Sequence, residues 1–249
     1  MIVIDVGNTN TVLGIYKNNK IINKQRVETK NLKILKLNIK KYFTKNNKKI
    51  NKSKICIVAS VVPKLNMLIR EIVLKNNYKY FNLNALNIPF RIKIKYDLNK
   101  IGADRLANMV AVINSKYNNC IIIDFGTATT FDVIKNSTYE GGIIFPGIKI
   151  SLDSLVKNAA LLKKTKIFKI SKIVTNNTKQ SIQSGFYWGY LSLINGIIQK
   201  IIKEKKIKPK IIMTGGLAKI FKDQIILKPI LNENLTLEGL GIIGKAINE

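Results

Sequence analysis

The same short turn occurs twice in this chain, each time at the end of an apolar β run. The first copy reads I-V-I-D-V-G-N-T-N-T over residues 2–11, and the second reads I-I-I-D-F-G-T-A-T-T over residues 121–130. In both copies an Asp ends the run, a Gly follows after one residue, and small hydroxyl or amide residues precede a second apolar run. Two apolar runs joined by such a tip are typical of a β-hairpin. The repeat predicts a chain built from two related halves.

The chemistry of the two tips suits a metal-bound polyphosphate. Gly7 and Gly126 have no Cβ, so the backbone N–H groups of the turns can approach an anion closely. Asp5 and Asp124 would repel a phosphate directly, but each could hold Mg²⁺ or another hard cation that bridges to it. The alternative is that each Asp is simply the first residue of a tight turn, where Asp is common. Short neutral donors complete the tips: Asn8, Thr9, Thr11, Thr127, Thr129 and Thr130.

The charge of the chain resembles a nucleic-acid signature but has a simpler origin. The net charge is +29, and the chain has 39 Lys, only four Arg, 29 Asn and 44 Ile. Lys, Asn and Ile share codons rich in A and T, so drift in base composition explains the three excesses together. Nucleic-acid recognition would favour Arg, which makes bidentate contacts. We therefore expect no nucleic-acid partner, although the positive field would attract an anionic substrate such as ATP.

The absence of His excludes several classes of mechanism. A chain without His has no Ser-His-Asp triad and no His-ligated zinc, so acid–base chemistry falls to carboxylate, Lys, Tyr or Cys. Cys56 and Cys120 lie in apolar runs and are expected to be buried free thiols in a reducing compartment. The sequence shows no signal-peptide pattern and no apolar stretch near the roughly 18 residues of a membrane span. We expect a cytoplasmic protein with no membrane partner.

The order of predicted elements repeats along with the tips. The predicted strands span residues 2–6, 12–16, 20–27, 54–59, 119–124, 129–134, 138–144 and 210–214, and the predicted helices span 32–42, 65–74, 103–116, 151–160, 181–204 and 239–248. A solvated Lys/Asn-rich linker is predicted over residues 40–54. Each half begins with three strands and continues with alternating helices and strands, which favours an α/β protein with mixed sheets and a ligand cleft between its halves. The predicted domains are residues 1–116 and 117–249.

Six short motifs resemble those of one known family. They are D-V-G-N-T at 5–9, G-A-D-R at 102–105, D-F-G-T-A at 124–128, G-G-x-I-x-P-G at 141–147, N-T-x-x-S-I-Q-S-G at 177–185 and T-G-G at 214–216. Over nearly its whole length the chain resembles type III pantothenate kinase, a member of the acetate and sugar kinase/Hsp70/actin superfamily. The resemblance implies a duplicated ribonuclease H-like (actin-like ATPase) fold. It also implies a homodimer that phosphorylates pantothenate at its terminal hydroxyl with ATP, the first step of coenzyme A biosynthesis.

The resemblance also assigns roles to residues. It implies that Asp104 is the proton acceptor, that Asp5 serves Mg²⁺-ATP, and that Asp124 holds a monovalent cation, K⁺ or NH₄⁺. Thr178 would reach the substrate in the partner subunit. The pantothenate residues implied are Tyr96, Gly102, Ala103, Asp104, Arg105 and Thr178. The ATP residues implied are Asp5, Val6, Gly7, Asn8, Thr9, Asn10, Thr11, Val12 and Thr127, with Gly215 and Gly216 at the adenosine.

Chemical reasoning supports two of these roles while leaving alternatives open. A hydroxyl that attacks the γ-phosphorus must lose its proton, so a carboxylate within hydrogen-bond reach is the expected base. Asp104 opens a predicted helix, whose dipole favours the ionised form; alternatively, it is only an N-cap. The planar fork of Arg105 suits bidentate capture of the pantothenate carboxylate; alternatively, it forms a surface salt bridge.

One segment departs from the family pattern. The family usually has Tyr-x-x-Pro shortly before G-A-D-R, whereas this chain reads Y-D-L-N-K-I over residues 96–101, without the Pro. Two other functions are compatible with the sequence. One is a non-catalytic regulatory relative that binds nucleic acid, and the other is a superfamily kinase for another small alcohol.

Overall fold

The computed structural model describes residues 1–47, 50, 54–90, 92–159 and 161–248. The strands are β1 (Ile2–Val6), β2 (Asn10–Lys17), β3 (Lys20–Glu28), β4 (Ile55–Ser60), β5 (Lys79–Asn82), β6 (Lys93–Ile94), β7 (Cys120–Phe125), β8 (Ala128–Lys135), β9 (Thr138–Pro146), β10 (Lys210–Gly215) and β11 (Ile230–Leu231). The helices are α1 (Leu32–Asn46), α2 (Asn66–Lys75), α3 (Ala103–Asn114), α4 (Ile148–Asn158), α5 (Thr178–Lys205), α6 (Ala218–Phe221) and α7 (Leu235–Asn248).

Two compact units make up the chain. The first contains Met1–Tyr117 together with Asn234–Glu249, and the second contains Asn118–Glu233. The first boundary lies within one residue of the predicted division at 116/117, but α7 differs from that prediction because it packs in the first unit. There it contacts α3, β1 and β4. Small residues on the contact face of α7 allow this close packing. Gly239, for example, lies so close to the Ala107 backbone that there is no room for a Cβ.

The strand order is the same in both units. In the first unit it is β3-β2-β1-β4-β5, and within the second unit it is β9-β8-β7-β10-β11. In each unit, the first three strands pair antiparallel in succession, while the fourth and fifth strands run parallel to the first. Two mixed sheets with one shared order confirm the predicted duplicated ribonuclease H-like fold.

The cores explain why the central strands read as continuous apolar runs. In the first unit α1 and α2 pack on one face of the sheet through Ile2, Ile4 and Val6 of β1, while α7 packs on the other. In the second unit Ile121, Ile123 and other apolar residues of β7 pack with α5 and α6. A strand covered on both faces buries successive residues, so it loses the alternation of a half-exposed strand.

The first helix is longer than the sequence predicts. The helix predicted to end at residue 42 continues to Asn46, so the linker predicted from residue 40 is wrong for that turn. The added turn buries Phe43 and Asn46, and the Asn46 amide donates to the Tyr42 carbonyl at 2.8 Å. Residues 48, 49 and 51–53 of the predicted linker lie outside the described residues.

The two cysteines behave as predicted. Cys56 and Cys120 are free and buried. Burial raises the pKa of the Cys120 thiol to about 12, and burial likewise raises the pKa of Cys56. Both are therefore neutral, inert thiols at physiological pH. None of the helices in the described part of the chain combines the length and hydrophobicity needed to cross a bilayer.

Candidate functional site

The first Asp-Gly tip joins β1 to β2. The Gly7 N–H donates to the Asn10 carbonyl at 3.0 Å and closes the turn. Asp5 pairs with Val12 on β2 and with Ala59 on β4, so its carboxylate lies where the central strands of the sheet end. This places the predicted cation ligand directly before the turn whose backbone is predicted to hold phosphate.

Thr29, which follows β3, hydrogen-bonds to the backbone of this tip. It belongs to none of the sequence motifs. Its hydroxyl donates to the Gly7 carbonyl at 2.8 Å, and its N–H donates to the Thr9 carbonyl at 3.0 Å. The Thr11 hydroxyl lies 3.0 Å from the Thr29 hydroxyl. Thr11 is fully buried, and its hydroxyl lies beside Thr29 at the base of the turn.

The second Asp-Gly tip joins β7 to β8 and is in contact with two other motifs. The Gly126 N–H donates to the Ala128 carbonyl at 3.0 Å, and the Gly147 N–H donates to the Thr127 carbonyl at 3.1 Å. Gly215, at the end of β10, has φ +89°, and a Cβ there would lie 2.7 Å from Asp124 Oδ1. The tip, the Pro-Gly turn and the T-G-G turn therefore meet in the second unit.

The G-A-D-R segment begins α3. Gly102 precedes the helix, and a Cβ added to it would lie close to the side chains of Asp104 and Val61. The Val61 N–H donates to the Val6 carbonyl at 3.0 Å, which continues the pairing of β4 with β1. The segment therefore lies at the same sheet edge as the first Asp-Gly tip. Gly102 is the N-cap residue, and Asp104 lies in the first turn of the helix.

Burial controls the proton affinity of Asp104. Desolvation raises the pKa of this carboxyl above its usual value of 3.8, while the Arg105 N–H and the Arg105 charge oppose the rise. The Arg105 N–H donates to Asp104 Oδ1 at 2.8 Å. A carboxylate with a raised pKa is a stronger base than an exposed one.

Arg105 is buried and stacked, which excludes the alternative of a surface salt bridge. Its side chain is 6% exposed, and its guanidinium carbon lies 5.6 Å from the centroid of the Tyr96 ring. This geometry is that of a cation–π contact, which orients the planar fork as well as attracting it. Although the segment 96–101 lacks the Pro of the family pattern, it therefore still places Tyr96 in contact with the G-A-D-R segment.

Helix α5 begins at Thr178 and borders an apolar groove. The Asn177 side chain caps it by accepting from the Gln180 N–H at 3.0 Å, so the helix begins three residues before its predicted start at 181. The groove has a volume of about 510 Å³. Its walls include Thr178 and several apolar side chains of β9, α4 and α5: Phe145, Leu155, Ile182, Phe186, Tyr190 and Leu193.

Comparison with known proteins places the chain in a family. The family profile described as Type III pantothenate kinase matches residues 1–200. This chain belongs to the type III pantothenate kinase family. A Type III pantothenate kinase from Pelagibacter ubique (strain HTCC1062) is 42% identical over an alignment 250 residues long, which covers 96% of this chain and 96% of that protein.

Solved structures of lower identity agree on the fold of this family member. A Campylobacter jejuni protein assigned to the Baf family of transcriptional activators is 20% identical with a TM-score of 0.64, covering 100% of this chain and 99% of that one. The activator of 2-hydroxyisocaproyl-CoA dehydratase from Clostridium difficile, solved with bound ADPNP, is 15% identical with a TM-score of 0.51, covering 100% and 94%. At these identities the likeness concerns the fold alone.

The chain offers few protein ligands for a metal. Across the described residues, no three or more Cys, Asp or Glu side chains come together in a group able to hold an ion. Mg²⁺ in kinases is commonly bound by one or two carboxylates together with substrate phosphates and water. Single carboxylates such as Asp5 and Asp124 fit a metal that arrives with the nucleotide, and they do not fit a cage built wholly from side chains.

Proposed function

We propose that this chain phosphorylates pantothenate with ATP, the first step of coenzyme A biosynthesis. The observation that best supports this function is the arrangement of side chains in the G-A-D-R segment. In a member of the type III pantothenate kinase family, it joins a half-buried carboxylate of raised pKa to a buried, oriented guanidinium. A base and a carboxylate-binding fork side by side match an acceptor that has both a hydroxyl and a carboxylate.

Asp104 is the general base in the proposed reaction. Its carboxylate accepts the proton of the pantothenate hydroxyl as the hydroxyl oxygen attacks the γ-phosphorus in line, and ADP leaves from the opposite side. Arg105 binds the pantothenate carboxylate with two parallel N–H donors. Tyr96, Gly102 and Ala103 line the same pocket in this proposal, which is supported by the Arg105–Tyr96 contact.

The two tips hold the nucleotide in this proposal. The backbone of residues 5–12 binds the β- and γ-phosphates, and Thr127, Gly215 and Gly216 bind elsewhere along ATP. Asp5 would hold Mg²⁺, which neutralises charge on the phosphates when bound, and Asp124 would hold K⁺ or NH₄⁺. The close approach of Gly215 to Asp124 supports a shared role for these residues. The ADPNP bound to the Clostridium difficile protein shows that this fold can accept such a nucleotide.

The apolar groove supports a homodimer. Large apolar side chains are exposed in the single chain, including Leu161 at 93%, which precedes the lining residue Leu162, and Val174 at 88%. Exposed apolar patches of this kind mark interaction sites. We propose that α5 and its surroundings meet a second copy, and that Thr178 then contacts pantothenate in the partner subunit.

A coupled assay of ADP release from the purified protein tests the function. ADP release should require pantothenate, should stop when EDTA removes Mg²⁺, and should fall when Na⁺ replaces K⁺. ADP release that is independent of pantothenate, or faster with other small alcohols in a substrate panel, would contradict the substrate. Equal rates in Na⁺ and K⁺ would contradict the role of Asp124.

A further inference from the structure

The repeated fold allows the two tips to be compared residue by residue. Val6 of β1 pairs with Thr11 of β2, and the equivalent Phe125 of β7 pairs with Thr129 of β8. On the third strands, Thr11 pairs with Val27 and Thr129 pairs with Phe145. The residues two positions further along these third strands are Thr29 and Gly147, so these two occupy equivalent places.

A shared backbone hydrogen bond supports this equivalence. The Thr29 N–H donates to the Thr9 carbonyl at 3.0 Å, and the Gly147 N–H donates to the Thr127 carbonyl at 3.1 Å. The side chains differ, however. A Cβ on Gly147 would lie 2.7 Å from the Gly126 carbonyl oxygen, whereas the first unit accommodates a complete Thr side chain there.

The two tips also differ in length. Residues 7–10 lie between the paired Val6 and Thr11, whereas residues 126–128 lie between Phe125 and Thr129. The first tip is thus one residue longer. A longer turn has more backbone conformations to lose when it is ordered, so it needs additional fixing interactions.

Thr29 supplies those interactions from a site shielded from water. Its hydroxyl proton goes to the Gly7 carbonyl at 2.8 Å, so the neighbouring Thr11 hydroxyl, 3.0 Å away, donates to it. Thr29 is 4% exposed and Thr11 is fully buried. The second tip lacks this arrangement: the buried Thr129 hydroxyl has no hydrogen-bond partner among the described residues.

The consequence for the turn follows from peptide planarity. The carbonyl of one residue and the N–H of the next share a rigid plane and point in opposite directions in a trans peptide. Fixing the Gly7 and Thr9 carbonyls toward Thr29 therefore aims the N–H groups of Asn8 and Asn10 away from it. Those N–H groups belong to the turn that would bind phosphate.

We propose that Thr29 is a positioning residue that holds the first tip in its phosphate-binding conformation. The inference rests on the proposed role of residues 5–12 in ATP binding. Thr29 acts through the backbone of Gly7 and Thr9. It is predicted to make no contact with the nucleotide.

The test measures the dissociation constant for ADPNP by calorimetry and the KM values for ATP and pantothenate. Thr29→Val removes the hydroxyl and keeps the branched shape, while Thr29→Ser keeps the hydroxyl. Tyr42→Phe is the matched control, because it removes a hydroxyl that donates to the Asn23 carbonyl of β3 at 2.7 Å. Loss of the buried hydrogen bond should raise the ADPNP dissociation constant and the ATP KM of Thr29→Val about tenfold. The pantothenate KM should change less than about twofold, and Thr29→Ser and Tyr42→Phe should bind ADPNP like the wild type.

Unchanged ADPNP binding by a folded Thr29→Val protein would overturn the inference, as would equal losses in Thr29→Val and Tyr42→Phe. Because a methyl in place of the hydroxyl presses on the Gly7 carbonyl, Thr29→Ala is the second variant if Thr29→Val does not fold. Weaker ADPNP binding by Thr29→Val or Thr29→Ala but not by Thr29→Ser, in a protein whose wild type shows no pantothenate-dependent turnover, would refute the proposed substrate and leave this inference standing. A wild type that does not bind ADPNP would refute both.

Discussion

Gly215 lies so close to Asp124 that a Cβ on Gly215 would come within 2.7 Å of Asp124 Oδ1. Its φ of +89° is also one that L-residues rarely adopt. We expect Gly215→Ala to destabilise the protein by about 1–3 kcal/mol. It should also lower kcat/KM for ATP, because the carboxylate proposed to hold the monovalent cation must move. Thermal unfolding and ATP titrations measure the two effects. Gly196→Ala is the control, since an added Cβ meets nothing within 4 Å there.

Asp104→Asn should abolish general-base catalysis while leaving ATP binding intact. Asn is nearly isosteric but cannot take a proton, and a positioned base typically contributes about 10²–10⁴-fold in rate. We expect turnover to fall at least about a hundredfold while the ADPNP dissociation constant is unchanged. Turnover like that of the wild type would remove Asp104 as the base.

The same substitution should change how stability depends on pH. Burial raises the pKa of Asp104 above its usual 3.8, so the folded state binds this proton more tightly than the unfolded state does. The resulting stabilisation is complete below the usual pKa and is lost as the pH rises through the folded pKa. Asp104→Asn should therefore be more stable than the wild type at pH 7, with a gain that shrinks toward pH 4. Melting temperatures across that range measure it, and a gain independent of pH would contradict this cause.

Arg105 and Tyr96 should affect pantothenate and not ATP. Arg105→Lys keeps the charge but loses the fork, and a charge-assisted hydrogen bond is worth roughly 1.5–3 kcal/mol, so the pantothenate KM should rise at least about tenfold. Tyr96→Phe keeps the ring under the guanidinium and should change the KM little, whereas Tyr96→Leu should raise it several-fold. An equal rise in the KM of both substrates would indicate a general loss of structure instead.

The groove prediction can be tested without disturbing the isolated chain. Gly189 lines the groove, and a Cβ added there meets nothing within 4 Å. Gly189→Glu should therefore leave the fold intact and place a charge where the second copy is proposed to pack. Sedimentation should show a wild-type dimer and a Gly189→Glu monomer, while Gly196→Glu, outside the groove walls, should sediment like the wild type. A dimeric Gly189→Glu protein would place the interface elsewhere.

Local pattern was sufficient for most elements and for the placement of the tips. The apolar runs before Asp5 and Asp124 form the central strands because buried neighbours on both faces require continuous apolar sequence. The linker prediction was wrong at residues 40–46, because a Lys- and Asn-rich composition resembles that of a loop even where the helical spacing of buried residues continues. Asn46 follows the buried Tyr42 at helical spacing, and a polar side chain can satisfy itself against its own helix.

The repeated turn, the strand-rich start of each half and the chemistry available to a chain without His were determined by the sequence alone. These are properties of consecutive residues. Only the tertiary structure decided that α7 packs in the first unit, that Asp104 is buried enough to raise its pKa, and that Thr29 supports the first tip. Such contacts join residues distant along the chain, and their energies depend on solvent exclusion and geometry that exist only after folding.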